Sequence, residues 1–229
     1  MICDLVIFDC DGVLIDSEKL IDRAHAETLA ACGFEIAAEK LSERFCGLSD
    51  KDMLAAIERE HGSALPADYE TRAAEAVARA YATSLRPIAG VEAVLAGLAV
   101  PVCVASSGTP AQVRRGLAAT GLSPCFADRI FSATMVAHGK PAPDLFLYAA
   151  AQMGAAPDRC LVIEDSEPGI KAAVAAGMRA IGFVGGSHCR PGHAERLTAA
   201  GAARVAGRMI DLIPLLTDAD RTAAAPAGD

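Results

Sequence analysis

The chain has 229 residues, 52% of them hydrophobic and 22% charged, and it carries a formal net charge of −8. That length and apolar content allow a full core in one large or two modest domains; they exclude wholesale disorder and any need for disulfide staples. The acidic balance excludes broad contact with nucleic acid or an anionic membrane, so a small anionic ligand requires a local cationic site.

In chain order, Leu5-Val6-Ile7-Phe8 is a continuous apolar run ending at Asp9, the pattern of a strand buried on both faces. From about residue 17 to 84, apolar residues recur at spacings of three and four, which predicts successive helices. About one residue in five is Ala, the best helix former, in keeping with that reading. Ser17 is placed as the N-cap of the first helix and Gly33 as its C-cap. Asp50 is placed as the cap of another, ending near Gly62, and Pro66 as the start of a long helix with Arg72, Glu75 and Arg79 on one face. Arg86-Pro87-Ile88-Ala89-Gly90 punctuates the end of this block. Strand signals then return at 100–105, 129–131, 160–163 and 180–184. They alternate with helices predicted over 112–120, 143–153, 169–176, 195–200 and 209–216. Such alternation implies parallel pairing with right-handed crossovers, hence a Rossmann-like doubly wound α/β sheet. The expected organisation is an α/β core from 1–16 and 86–216, an inserted helical cap at 17–85, and a loose tail at 217–229.

The eight cysteines stand at 3, 10, 32, 46, 103, 125, 160 and 189, with no Cys-x-x-Cys pair and no zinc-knuckle spacing. Several lie in or beside apolar runs (Cys3, Cys10, Cys103 and Cys160), so they read as reduced core thiols. His25, His61, His138, His188 and His193 show no metal-ligand spacing and read as surface or hydrogen-bonded side chains. The longest uncharged stretch, 93–113, is broken by Pro101, Gly108 and Pro110 and predicts no membrane span. Met1 is followed by Ile-Cys-Asp rather than a basic region and an apolar core, so the expected location is cytoplasmic.

Ligands of a doubly wound sheet bind beyond the carboxyl ends of its strands. The polar residues just past the apolar runs are Asp9-Cys10-Asp11-Gly12, Ser106-Ser107-Gly108 and Glu164-Asp165-Ser166, with Gly139-Lys140-Pro141 before a helix. Four converging carboxylates cannot all ionise without a counter-charge, and an oxygen-rich site of this kind suits Mg²⁺. Asp9 is then a candidate nucleophile, and Asp11 a candidate acid and base. Ser106, Ser107 and Lys140 are candidate partners for a phosphoryl group.

Those residues carry a family resemblance. Phe8-Asp9-Cys10-Asp11-Gly12-Val13-Leu14 resembles the first motif of the haloacid dehalogenase superfamily. Val104-Ala105-Ser106-Ser107 resembles its second, Gly139-Lys140-Pro141 its third, and Glu164-Asp165-Ser166 with Gly169 its fourth. The order and spacing agree across about residues 1–216. The resemblance implies Mg²⁺-dependent phosphoryl transfer through an aspartyl phosphate on Asp9, with Asp11 as acid and base. It implies a metal site of Asp9, Asp11 through its main-chain carbonyl, Glu164 and Asp165, beneath a helical cap.

Within the superfamily the chain is most similar to the β-phosphoglucomutase-like and 6-phosphogluconate phosphatase group. The mutases carry a His and an Arg where this chain has Ile21 and Asp50, so a phosphatase of a small sugar or polyol phosphate is expected and a phosphomutase is the alternative. A receiver-like phospho-accepting domain is the non-enzyme alternative, but it is about half this length and has no helical insertion after its first strand. Lys19, Arg44, Cys46, Gly47 and Leu48 are the cap residues expected to face the substrate. The expected partner is a small phosphorylated metabolite, with neither nucleic acid nor membrane, and a monomer is favoured.

Overall fold

A computed structural model describes residues 3–45 and 48–217. Six short strands form the sheet: β1 Leu5–Phe8, β2 Val102–Ser106, β3 Ile130–Ser132, β4 Cys160–Glu164, β5 Arg179–Phe183 and β6 Arg204–Ala206. Every pairing is parallel, in the order β3-β2-β1-β4-β5-β6. The strands read as continuous apolar runs because both faces are covered. Val6, Phe8, Val104, Leu161 and Ile163 pack into one layer of core, and Leu5, Ile7, Cys103, Ala105 and Val162 into the other, following the two-residue strand period.

The helices on the two faces are α5 Val91–Gly97, α6 Pro110–Ala119, α7 Ser123–Phe126, α8 Asp144–Met153, α9 Glu167–Ala175, α10 His193–Ala200 and α11 Leu212–Thr217. Four more helices come earlier in the chain, between β1 and α5: α1 Glu18–Ala30, α2 Ala38–Phe45, α3 Asp50–His61 and α4 Tyr69–Ser84. They bury a separate cluster that includes Leu29, Leu41, Ile57 and Tyr69. Val77 and Tyr81 of α4 instead join the sheet-side core, which ties these helices to the strands. Among the described residues, no helix is long and apolar enough to cross a membrane.

The doubly wound parallel reading is the observed fold, with local departures. β6 and α5 were not predicted: β6 is a three-residue edge strand opening on an exposed Arg204, and α5 buries only Val91 and Val94. Neither is long enough to show a period. Asp50 is not a cap. Ser49 is, its hydroxyl accepting from Asp52 N, and Gly62 closes α3 at φ 75° as expected. Ser17 makes no side-chain cap bond on α1, because its hydroxyl is used elsewhere. Helix α6 begins two residues before the expected start, on a reciprocal Thr109–Gln112 capping box. The described cysteines are all free, and Cys3, Cys10, Cys103 and Cys160 are buried.

Candidate active site

The strand order reverses between β1 and β4, and the candidate site side chains gather there, beyond the carboxyl ends of β1, β2 and β4. Asp9 follows β1 directly and is tied back to β4 by its amide, which donates to Ile163 O at 2.9 Å. Lys140 reaches this point from the loop before α8 and is 5% exposed. Its ammonium donates to Asp9 Oδ1 at 2.5 Å, Glu164 Oε1 at 2.6 Å and Ala105 O at 3.2 Å. An ammonium has three hydrogens, so every donor of Lys140 has a protein acceptor. Burial works against that charge, but Asp9 and Glu164 outweigh it and hold the lysine protonated.

The remaining carboxylates differ in how they are held. Both oxygens of Glu164 are committed: Oε1 to Lys140, and Oε2 to Ser166 N at 2.7 Å and Ser166 Oγ at 2.8 Å. Gly169 is what makes room for it, since a Cβ there would lie 1.8 Å from Glu164 Oε1. Glu164, expected among the metal ligands, pairs in this structure with Lys140 and Ser166. Asp11 Oδ1 accepts from Ser17 Oγ at 2.6 Å and from Tyr81 Oη of α4 at 3.3 Å. Burial pushes its carboxyl above the ordinary range, and the Ser17 bond only partly offsets this. Asp9 is pushed well above that range by burial, against the pull of Lys140, with Glu164, Asp165 and Asp11 adding to the rise. Asp165 is 2% exposed, and its Oδ2 accepts no hydrogen bond, although His188 Nε2 stands 3.0 Å away. Gly12, at φ 76°, lets the backbone pass this oxygen: a Cβ there would sit 1.8 Å from it.

These observations test the fit of a divalent cation. A buried carboxylate oxygen without a donor, beside Asp9 and Asp11 and with one lysine for the whole cluster, is a hard oxygen set with an uncompensated negative charge. Mg²⁺ fits it.

Ser106 is 1% exposed at the end of β2, its Oγ accepting from Gly108 N at 3.1 Å. Ser106 and Ser107 both line the cavity over Asp9, as do Asp11, Lys140, Glu164 and Asp165. The structure therefore brings the expected core residues to one place.

The helical side of the cavity departs from expectation. Lys19 is exposed and does not line the cavity. The lining stripe of α1 is Glu18, Ile21, Asp22 and His25, positions one helical turn apart, and Lys19 lies off it. Arg44 is also turned away, pairing with Glu60 and lying over the Phe45 ring. Leu48 does line the cavity; Cys46 and Gly47 lie outside the described residues. Asp50, missed as a site residue, projects into the cavity and accepts from Gln112 Nε2 of α6 at 3.1 Å, bridging the two sides. Its signal was available in the sequence, where Asp50 stands at the position at which the mutases carry an Arg. His25, read as a surface or hydrogen-bonded side chain, is hydrogen-bonded to Tyr69 Oη at 2.9 Å, lines the cavity and faces Asp50 at 3.8 Å. Burial pushes Asp22 up to about 6 and Glu18 well above its ordinary value.

Comparison with known proteins identifies the family. A family model described as a haloacid dehalogenase-like hydrolase matches residues 3–177. The 6-phosphogluconate phosphatase of Escherichia coli is 30% identical over 191 residues, spanning 82% of this chain and 86% of that protein. A solved haloacid dehalogenase-like protein of unknown function from Agrobacterium tumefaciens aligns with a TM-score of 0.80 at 42% identity, over 95% of this chain and 98% of that one. A HAD family hydrolase from Deinococcus radiodurans, solved with bound phosphate and sodium, gives a TM-score of 0.75 at 32% identity, over 95% and 96%. The chain belongs to the haloacid dehalogenase-like hydrolases.

Proposed function

We propose that the chain is a Mg²⁺-dependent phosphatase of small, uncharged sugar or polyol monophosphates, acting through an aspartyl phosphate on Asp9. The observation that carries the reading is the Lys140 ammonium held between Asp9 and Glu164, facing a cavity that Asp11, Asp165 and Ser106 share. Asp9, Asp165 and the Asp11 main-chain carbonyl would hold the metal. Bound there, Mg²⁺ supplies a Lewis acid that draws charge from a phosphoryl oxygen and favours ionised Asp9.

Asp9 attacks phosphorus in line, forming the acyl phosphate as the bond to the ester oxygen breaks. The raised carboxyl of Asp11 suits it to carry a proton to the departing alkoxide; once ionised, it takes a proton from the water that cleaves the acyl phosphate. Ser17 and Tyr81 hold Asp11 in place for both steps. As Asp9 Oδ1 turns to phosphorus, a phosphoryl oxygen takes its place on Lys140, whose charge then offsets the transition state. Glu164 keeps Lys140 aimed throughout.

The cavity walls support the substrate class. Among the described lining residues, Lys140 is the one lysine or arginine, and the far side presents Glu18, Asp22, His25 and Asp50. Hydroxyls find acceptors and donors there, but a second anion finds no further lysine or arginine among the described lining residues. The E. coli relative named as a 6-phosphogluconate phosphatase acts on a carboxylated sugar; this cavity favours neutral ones. Ile21, an apolar side chain in the lining, supports a hydrolase over a phosphomutase.

Released phosphate from a panel of esters tests this. Hexitol and glycerol phosphates are expected to exceed 6-phosphogluconate in kcat/KM by about tenfold or more, a difference of ~1.4 kcal/mol, and EDTA is expected to stop turnover. Preference for 6-phosphogluconate overturns the substrate class, turnover in EDTA overturns the metal, and isomerisation of a hexose 1-phosphate without phosphate release makes the chain a mutase. Asp50→Arg is expected to narrow or reverse the discrimination against 6-phosphogluconate while leaving p-nitrophenyl phosphate hydrolysis within a few-fold of the parent; an unchanged preference removes Asp50 as a selector.

A further inference from the structure

Beside the phosphoryl site lies a second cluster that the mechanism does not use. The loop after β5 and the first residue of α10 bring His188, Cys189 and His193 together, with one ligand atom from each inside a common 4.8 Å span. The sequence reading, which found no metal spacing among the histidines, missed it because the adjacent His188 and Cys189 match no familiar ligand pattern; the chain reversal at Gly192, φ 84°, returns His193 to them. We propose that His188, Cys189 and His193 bind a soft transition-metal ion of the Zn²⁺ class, at a site separate from the carboxylate centre.

The geometry is close to what such an ion needs. Tetrahedral bonds of about 2.0–2.1 Å to nitrogen and about 2.3 Å to sulfur place the two ligand atoms about 3.6 Å apart. Cys189 Sγ and His188 Nε2 stand 3.6 Å apart. His193 Nε2 lies 2.5 Å from the main-chain oxygen of Asp165. A carbonyl only accepts, so that nitrogen carries the proton and Nδ1 carries the lone pair a metal takes. A backbone carbonyl on the far ring nitrogen is the usual outer partner of a metal-bound imidazole.

Both imidazoles are held before any ion arrives. His188 and His193 are 4% and 7% exposed, and their rings meet edge to face with centroids 5.7 Å apart. Gly186 and Gly12 allow the close fit, since a Cβ on either would fall within 2.8 Å of the His188 ring. Cys189 is half-buried, and both histidines line an open groove beside Arg190 that gives an ion a way in.

The set is selective. Thiolate and imidazole favour Zn²⁺ and its neighbours, whereas Mg²⁺ prefers the oxygen cluster. Binding releases the thiol proton of Cys189 to solvent. Ligation would also occupy His188 Nε2, which stands 3.0 Å from Asp165 Oδ2, so an ion here alters what that carboxylate of the phosphoryl site faces. Zn²⁺ is therefore expected to inhibit Mg²⁺-supported turnover.

Cobalt titration of the full chain tests the site without relying on activity. One equivalent of Co²⁺ is expected to give a thiolate-to-cobalt charge-transfer band in the near ultraviolet with tetrahedral bands in the visible, and Zn²⁺ is expected to remove both. Cys189→Ser should abolish the charge-transfer band and weaken Zn²⁺ binding, since it removes a direct thiolate ligand. Cys32→Ser, at another half-buried thiol, should change neither. Absence of a thiolate band in the parent, or its survival in Cys189→Ser, overturns the proposal. Far-ultraviolet circular dichroism of Cys189→Ser matching the parent shows that loss of the band is loss of a ligand and not of the fold.

Discussion

Asp9→Asn is expected to lower phosphate release by roughly 10⁴-fold or more while leaving the fold intact or slightly more stable. On the proposed mechanism the loss follows from removing the atom that would bond phosphorus; deleting a nucleophile costs several powers of ten even where the rest of the site still binds. The stability half follows from electrostatics. Asp9 is buried, and its carboxyl is held well above the ordinary range by burial, with Glu164, Asp165 and Asp11 close by. A folded-state value above the unfolded one means that ionising Asp9 at neutral pH works against the fold. An amide removes that charge, and its oxygen can still accept from Lys140. Phosphate assays together with thermal unfolding in EDTA check both halves. Turnover within tenfold of the parent removes Asp9 as nucleophile. A Tm lower by several degrees would show that the fold depends on its charge.

Lys140→Met is expected to act in the opposite direction on stability and in the same direction on activity. It removes the one ammonium that Asp9 and Glu164 share, at 2.5 and 2.6 Å, with both carboxylates left in the interior. Breaking a buried ion pair by deleting one partner costs about 3–5 kcal/mol, a fall in Tm on the order of 10 °C for a chain of this size. Turnover is expected to drop by about 10²–10³-fold through loss of transition-state charge stabilisation. The double variant Asp9→Asn with Lys140→Met should recover part of the lost stability, because one of the stranded anions is gone. Simple additivity of the two Tm shifts would show that Lys140 answers mainly to Glu164. Thermal unfolding of the two single variants and the double variant in one buffer decides it.

These expectations rest on partnerships, and partnerships were the part of the molecule least legible in the chain. Leu5–Phe8 and residues 160–163 of β4 were readable as strands because a sheet covered on both faces demands unbroken apolar runs. The three-residue β6 was not, since an edge strand with exposed Arg204 has no such demand. Ser17 was readable as a helix opener; that its hydroxyl serves Asp11 at 2.6 Å was not. On α1, the amphipathic period shows that one stripe faces inward but not what it faces. Lys19 was therefore a reasonable candidate on the chain, and Glu18, Asp22 and His25 are the residues in the cavity.

The sequence by itself determined the kind of fold, and the arrival of the candidate polar groups of the core at one sheet edge. Residues just past the last apolar position of parallel strands must emerge on the same side, so the order of strands alone co-locates Asp9, Ser106 and Glu164. The tertiary structure alone decided who pairs with whom. Lys140 and Asp9 are separated by 131 positions, and no periodicity along one element reports a 2.5 Å contact across that distance. The same is true of Glu164, whose oxygens are consumed by Ser166 and Lys140, and of His188, Cys189 and His193, which a single reversed residue gathers into one cluster. Burial leaves its mark residue by residue along a chain; contact between distant side chains is fixed only when the elements carrying them pack.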